Sequence, residues 1–233
     1  MMTSQVTDLL VVSPHPDDAE FGMAGTVAKY YMEGKTVVYV IVTGGEKGSE
    51  DKQMTPEKLK SARRLEQLAA AKILGVKTVE FLGFIDGSLE DNYELRLAIT
   101  RQIRRYKPLA VATTDPYRRY LLHRDHRITG LVVAEAVYPF ARNRPAFPEL
   151  IEEDLESHMV KEMLFWGSED PNYYVDITDS FNRKIDALKC HSSQLGSHNE
   201  KNLELWLRQR AQEMASGQNY PLAEAFHRVI IDH

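Results

Sequence analysis

Two periods of apolar residues alternate along the first half of the chain. Four runs rich in β-branched residues have the composition of buried strands, and they cover 9–12, 36–43, 77–83 and 108–114. Apolar residues spaced three or four positions apart predict helices, and these cover 22–33, 55–74, 91–106 and 127–137. Strands that alternate with helices are typical of βαβ crossovers. The pattern therefore predicts an α/β fold with a mainly parallel sheet flanked by helices.

The pattern changes after Tyr138. Residues 139–158 show no clear period and include the proline-containing stretch "ARNRPAFPE", which predicts an irregular insertion. Beyond it we expect two later strands and two helices; the strands cover 159–167 and 173–178, and the helices cover 179–194 and 199–216. No repeat or clear linker divides the sequence, so we expect one Rossmann-like domain over residues 1–233.

Composition narrows the class of protein. Of the 233 residues, 43% are hydrophobic and 27% are charged, which is ordinary for a globular protein. The net charge of −5 and the pI of about 5.9 argue against nucleic acid as a partner. Cys190 is the single cysteine, which excludes an intramolecular disulfide and a multi-cysteine zinc site. Without a long apolar run or a basic leader segment, we expect a cytoplasmic protein that has no membrane partner.

Two short segments carry unusual chemistry at the predicted strand ends. The first is "PHPDDAE", residues 14–20, after the first strand, and the second is "HRDH", residues 123–126, between the fourth strand and a helix. In an open parallel sheet, ligands bind beyond the carboxyl ends of the strands. The two segments are therefore expected to meet at one edge of the sheet, although they are roughly 110 residues apart in sequence.

The residue types in these segments suit a metal-dependent hydrolase. Histidine and aspartate are zinc ligands, and a catalytic zinc site has three protein ligands and an open position for water. A metal lowers the pKa of that water, and a nearby carboxylate accepts its proton. A further histidine stabilises the intermediate that forms when the water attacks. Each segment also has a simpler interpretation, namely a polar turn for the first and a solvated helix entrance for the second. Spacing alone leaves both interpretations open.

Together, "PHPDDAEFGMAGT" and "HRDH" resemble the motifs AHPDD and HPDH of the PIG-L/LmbE-like zinc-dependent N-deacetylases. Four further segments are similar to that family, so that the resemblance covers nearly the whole chain: "TGGEKG", "RRLEQLAAAKILGV", "YYVDITDSFNRKIDALKCHSSQ" and "YPLAEAFHR". Two positions depart from the motifs, because Arg124 replaces a proline and Pro14 replaces a small residue. Neither position supplies a ligand.

The resemblance implies a metal site and its catalytic base. His15, Asp18 and His126 would be the ligands of a zinc ion, for which another divalent metal such as Fe²⁺ is the alternative. Asp17, beside the ligand Asp18, would be the general base that acts on the zinc-bound water.

The resemblance also implies three further roles. His123 would stabilise the tetrahedral oxyanion or protonate the leaving amine, and Asp125 would orient His123 and tune its charge. Arg63 matches a family position associated with the substrate, with an exposed helix arginine as the alternative interpretation.

The implied reaction is removal of an N-acetyl group from a GlcNAc-type sugar or glycoside by zinc-hydroxide attack, so the expected partner is a small N-acyl sugar. An amidase that acts on a thiol–sugar conjugate is an alternative within the same class. A metal-free nucleotide- or sugar-binding protein is a second alternative, which the absence of a G-x-G-x-x-G pattern after the first strand disfavours. A phosphoesterase that uses the same metal is a third, and assembly into a homo-oligomer is left open.

Four other polar or aromatic residues have structural interpretations. Asp86, before Gly87, is typical of a turn. His191 is interpreted as a buried or capping histidine, and Trp166 and Trp206 are interpreted as packing residues.

Overall fold

The first four strands form where the sequence contains its β-branched runs. The computed structural model describes residues 7–120, 122–195 and 200–232. Seven strands lie within them: β1 (Leu9–Ser13), β2 (Val37–Thr43), β3 (Thr78–Phe84), β4 (Ala110–Thr114), β5 (Glu162–Trp166), β6 (Tyr173–Asp176) and β7 (Ala223–Ile230). All six strands predicted from the sequence are present, and β7 is an addition to them.

Helices connect these strands. Their bounds are α1 (Asp18–Met32), α2 (Pro56–Leu74), α3 (Tyr93–Tyr106), α4 (Arg124–Glu135), α5 (Pro148–Glu152), α6 (Phe181–Lys189), α7 (Ser192–Leu195) and α8 (Glu200–Met214). Helix α2 begins at a Thr55 cap that accepts a hydrogen bond from the N–H of Lys58, and it ends at Gly75 in the left-handed conformation. Among the residues that the structure describes, no helix is both long and apolar enough to cross a lipid bilayer.

The strands form one sheet in the order β3-β2-β1-β4-β5-β7-β6. Strands β1 to β5 are parallel to one another, whereas β7 runs antiparallel to both β5 and β6. The predicted mainly parallel α/β architecture is confirmed. The order reverses at β1, since β2 lies on one side of it and β4 on the other, and such a reversal opens a crevice at the carboxyl ends of the two strands.

Both faces of the sheet are buried, as a parallel sheet requires. Along β1, Leu9 and Val11 join one hydrophobic core, and Leu10 and Val12 join the other. Helices α1, α2 and α6 contribute to the first core, and α3 and α4 contribute to the second. Strand β1 lies between the two cores, and this holds the loop that follows it in a fixed place.

Several predicted boundaries were wrong. Helix α1 begins at Asp18, four residues before the predicted start, because the chain turns directly from the first motif into the helix. The second motif lies on the first turn of α4 and not in a loop before it. The expected irregular insertion contains a π-helical turn over 136–140, a 3-10 turn over 144–146 and the short helix α5. The helix expected over 179–194 is divided into α6 and α7, and residue 199 of the last predicted helix lies outside the described residues.

Strand β7 was not predicted because a buried glutamate interrupts its pattern. Glu224 lies on this strand and is 5% exposed.

Helix α1 is kinked at Met23, whose φ and ψ of −153° and 17° are not helical. Beyond the kink, the N–H groups of Gly25 and Thr26 donate to the Glu224 carboxylate at 3.0 and 2.7 Å. Lys184 of α6 places its Nζ atom 2.6 Å from the same carboxylate. A buried ion pair therefore joins α1, α6 and β7.

We expect Glu224→Ala to lower the free energy of unfolding by about 3–5 kcal/mol, because it leaves the buried Lys184 ammonium without its counter-ion. Urea denaturation measures this change. The control is Glu162→Ala on β5, which removes a more exposed pair with Arg228 and is expected to cost far less. Equal losses in the two variants would contradict a special role for the buried pair.

Candidate active site

The two motifs meet at the carboxyl edge of the sheet. His15 follows β1 by two residues, and His123 caps helix α4, which follows β4. Because β1 and β4 are adjacent parallel strands, their carboxyl ends place both segments together. The imidazole rings of His15, His123 and His126 form a triangle with centroid distances of 5.0, 5.3 and 5.5 Å.

Two imidazole nitrogens approach one carboxylate oxygen. Asp18 Oδ2 lies 3.0 Å from His15 Nδ1 and 3.1 Å from His126 Nε2. The same oxygen accepts a hydrogen bond from the backbone N–H of His15 at 3.0 Å, which closes the turn of the first motif. Two nitrogens and one oxygen of the three predicted ligands therefore lie within hydrogen-bonding distance of one another through Asp18. His15, His123 and His126 also have nitrogens close enough together to hold a metal ion.

This donor set fits a divalent metal ion. Two histidines and one carboxylate are typical of catalytic zinc sites and of non-haem iron sites. The field around His15 is also suited to a cation: burial by itself lowers the pKa of His15, but hydrogen bonds to Asp125, Asp18 and Asp86 raise it to about 11. Hydrogen bonds from His126 and His15 likewise outweigh burial and hold the pKa of Asp18 well below its usual range. The local charge thus favours a positive ion.

Asp86 is a site residue that the sequence interpretation missed. Its Oδ1 atom lies 3.1 Å from His15 Nε2, on the opposite side of the ring from Asp18. Its other oxygen accepts a hydrogen bond from the N–H of Lys47 at 2.8 Å. Asp86 follows β3 by two residues, so the sequence places its loop at the same edge of the sheet, but this position alone does not distinguish it from a turn aspartate.

Asp125 contacts His15 through its side chain and His123 through its backbone. Its Oδ2 atom lies 3.1 Å from His15 Nε2 and accepts the N–H of Gly87 at 2.6 Å. Its own N–H donates to His123 Nδ1 at 3.1 Å. The carboxylate therefore orients the ligand His15, as outer carboxylates do at metal sites, and the backbone orients His123. A tuning of His123 by the charge of Asp125 stays a prediction.

Asp17 lies beside a buried arginine. Its carboxylate lies 3.3 Å from Nη2 of Arg63. Arg63 is 4% exposed and donates to the carbonyls of Gly45 and Pro16 at 3.0 and 2.5 Å, so the alternative of an exposed helix arginine was wrong. A direct role of Arg63 in substrate binding stays a prediction.

The surroundings shift the ionisation of two groups that are available for proton transfer. Burial raises the pKa of Asp17, the adjacent Asp18 carboxylate raises it further, and Arg63 opposes both. Burial and the neighbouring His15 lower the pKa of His123. Both shifts favour the uncharged form of the group. The pKa of Asp17 therefore lies nearer to neutral pH than that of an ordinary aspartate, and His123 stays a neutral imidazole.

A cleft opens beside two of the predicted ligands. Its volume is about 470 Å³, and its wall includes Asp18, His126 and two tryptophans. Trp166 is 5% exposed and its indole lies against Gly22, where a Cβ atom would be 2.5 Å from the ring. Trp206 on α8 is 45% exposed. The volume lies within the range of about 300–1,000 Å³ that is usual for small-molecule sites, so the tryptophans line a ligand cleft in addition to packing.

Comparison with known proteins gives consistent matches along the chain. A profile of the family PIG-L, described as GlcNAc-PI de-N-acetylase, matches residues 10–137. A diacetylchitobiose deacetylase from Thermococcus kodakarensis is 35% identical over 207 residues, which cover 87% of this chain and 74% of that protein. A probable N-acetyl-alpha-D-glucosaminyl L-malate deacetylase 2 from Bacillus anthracis is 30% identical over 195 residues, which cover 81% and 82% of the two chains.

A solved structure shows the same fold over almost the full length. The N,N'-diacetylchitobiose deacetylase from Pyrococcus horikoshii, complexed with its inhibitor MPG, superposes with a TM-score of 0.91 at 30% identity. The superposition covers 97% of this chain and 85% of that chain.

We expect the purified protein, after chelation and back-titration, to bind one zinc ion, and His126→Ala to lose or greatly weaken that binding, because one of three ligand atoms is removed. Metal analysis and zinc titration measure both. His158→Ala is the control, since His158 is hydrogen-bonded to the carbonyl of Pro108, before the amino end of β4 and away from the two motifs. Unchanged zinc binding in His126→Ala would exclude this ligand set.

Proposed function

This chain belongs to the PIG-L family, and we propose that it is a metal-dependent hydrolase that removes the N-acetyl group of a GlcNAc-type sugar or glycoside. The observation that carries the proposal is the convergence of His15, Asp18 and His126 beside Asp17, a carboxylate that is not one of the ligands. The names of the relatives from Thermococcus kodakarensis and Pyrococcus horikoshii, both diacetylchitobiose deacetylases, support the choice of an acetamido sugar.

Zinc is the metal that we propose for this site, held by His15, Asp18 and His126. When bound, it supplies a Lewis acid that polarises the acyl carbonyl and makes water acidic. Asp86 and Asp125 contact Nε2 of His15. These two contacts fix the orientation of the His15 ring as a metal ligand.

Asp17 is the proposed general base. It accepts a proton from the attacking water as the C–O bond forms, and its raised pKa brings the carboxyl nearer to the pH at which it works. Breakage of the C–N bond then releases the amine, which takes up a proton, and acetate. Arg63 keeps the Asp17 carboxylate directed to one place.

His123 is the proposed donor to the developing oxyanion. Its Nδ1 atom accepts the N–H of Asp125, so the neutral ring carries its hydrogen on Nε2. Burial and His15 lower the pKa of His123, which preserves this neutral form. A positioned N–H donor stabilises the negative charge that forms on the carbonyl oxygen.

The sugar is proposed to occupy the cleft beside Asp18 and His126. An acetamide held at the ligand atoms would leave the rest of the substrate facing the wall that contains Trp206. Exposed indoles provide flat apolar surface with a polar edge, and such a surface matches the C–H face of a pyranose ring.

We expect the zinc-loaded wild-type protein to release acetate from N,N'-diacetylchitobiose. We expect Asp17→Asn to lower kcat by about 10²–10⁴-fold, because this substitution removes the general base. Acetate release and zinc titration are measured together, and the variant is expected to retain its metal. Asp186→Asn, on the exposed side of α6, is the control. Release of phosphate from p-nitrophenyl phosphate, with no release of acetate, would replace this proposal with a phosphoesterase.

Trp206→Ala is expected to raise KM for N,N'-diacetylchitobiose roughly 3- to 10-fold with a smaller change in kcat, because it removes contact area and not a reacting group. Steady-state acetate release measures both constants. Leu205→Ala is the control, since Leu205 is also an exposed apolar residue of α8 but is not part of the cleft wall. Equal changes in KM would place the sugar elsewhere.

A further inference from the structure

Helix α2 holds both ends of the peptide bond that joins Pro16 to Asp17. The carbonyl of Pro16 accepts a hydrogen bond from Arg63 Nη2 at 2.5 Å, and the N–H of Asp17 donates to Gln67 Oε1 at 3.1 Å. Arg63 and Gln67 are four residues apart and therefore lie on one face of the helix. Because both ends of the peptide plane are fixed, its rotation about the N–Cα bond of Asp17 is fixed as well.

The conformation of Asp17 needs such a restraint. Its φ of 86° lies in the left-handed region, which is unfavourable for a residue with a side chain and persists only where the surroundings impose it. Asp17 is the cap of helix α1, but its side chain makes no capping hydrogen bond. The carboxylate instead lies beside Arg63 at 3.3 Å. The strained backbone thus keeps this carboxylate separate from the adjacent Asp18.

Gln67 is itself fixed by a buried carboxylate. Its Nε2 atom donates to Glu20 Oε1 at 2.7 Å, and both side chains are 0% exposed. With its amide nitrogen on Glu20, Gln67 presents its oxygen to the N–H of Asp17. The other oxygen of Glu20 lies 3.6 Å from Nε2 of His191, which is also 0% exposed, and this distance is too long for a hydrogen bond. A chain of two hydrogen-bonded buried groups, Glu20–Gln67, therefore ends on the backbone of Asp17.

Packing alone does not explain these polar side chains. Gln67, Glu20 and His191 are not part of the cleft wall, and apolar residues of similar size would fill interior positions without the cost of burying polar groups. The amide oxygen and the amide nitrogen of Gln67 are both hydrogen-bonded, and this holds the amide in a single arrangement. The group on which this chain ends is the residue that takes the proton in the proposed function.

We propose that Gln67 is a positioning residue for the general base, and that Glu20 holds Gln67 in the orientation required. This inference rests on the proposed role of Asp17. Gln67 touches neither the cleft nor the three ligand atoms; it acts through the backbone of Asp17.

The first test is Gln67→Met in the zinc-loaded full chain. Methionine has similar length but cannot accept the N–H of Asp17 or donate to Glu20. We expect kcat on N,N'-diacetylchitobiose to fall about 10- to 100-fold, since displacement of a reacting group by about 1 Å has effects of this size. KM and the zinc Kd are expected to stay within about 2-fold of the wild type. Loss of zinc binding would overturn the inference, because the damage would then lie in the ligand set.

Gln102→Met is the matched control. Gln102 is the buried glutamine of helix α3, 5% exposed, on the other face of the sheet. We expect it to tolerate the same substitution with an unchanged kcat. An equal fall in kcat in both variants would show that any buried glutamine has this effect, and the inference would fail.

The second test combines Gln67→Met with Asp17→Asn. If Gln67 acts through Asp17, Gln67→Met should cause no further loss in kcat in a protein that already carries Asp17→Asn. The reason is that the effects of coupled residues are not additive. A fall by the same factor in the presence and absence of the Asp17 carboxylate would contradict the inference.

A third variant covers the case in which Gln67→Met does not fold, which urea denaturation would show. Gln67→Glu combined with Glu20→Gln keeps an acceptor for the N–H of Asp17 and a hydrogen bond between positions 67 and 20. We expect this exchange to retain kcat within about 10-fold of the wild type. A folded, zinc-binding exchange variant that is as inactive as Asp17→Asn would overturn the inference.

Failure of the inference and failure of the proposed function are distinguishable. A wild type that releases no acetate, or an Asp17→Asn variant as active as the wild type, would remove the proposed function. An active wild type and an inactive Asp17→Asn, together with full activity in Gln67→Met, would remove only the role of Gln67.

Discussion

The site depends on the approach of two imidazole nitrogens to one oxygen of Asp18. Those groups come from segments that follow β1 and β4, and only the adjacency of these strands places them within 3.1 Å of a common atom. The carboxylates of Asp18, Asp86 and Asp125 all contact His15, and their negative charge favours a cation at this place. The parallel register of the two strands therefore sets the charge of the site as well as its shape.

The protein surrounds this centre with buried polar contacts instead of additional apolar packing. On one side, Asp86 and Asp125 hold His15, and on the other side, Arg63 and Gln67 hold the loop that carries Asp17. Such contacts fix direction as well as distance, whereas apolar packing fixes mainly volume. The proposed division of roles, with Asp18 as a ligand and its neighbour Asp17 as a base, would require this directional control.

Sequence patterns predicted the elements that obey simple periods and missed those in which a polar residue replaces an apolar one. Four of the six predicted strands follow β-branched runs and the other two follow apolar or aromatic runs, but β7 was missed because Glu224 occupies a position where the pattern requires an apolar side chain. For the site, motif chemistry and the parallel-sheet rule were enough to bring His15 and His126 together. Asp86 could not be separated from an ordinary turn aspartate, because only the tertiary structure shows that its oxygen faces His15.

Strand β7 also affects the order in which the parts of the chain can fold. Its Glu224 bonds the backbone of Gly25 across 199 positions of sequence, and the strand itself lies between β5 and β6. Contacts so distant in sequence form late and slow the folding of a chain. During synthesis, a ribosome has to add about 200 residues after Gly25 before the helix that carries Asp18 gains this support. The contact between helix α1 and Glu224 therefore forms only after β7 has left the ribosome.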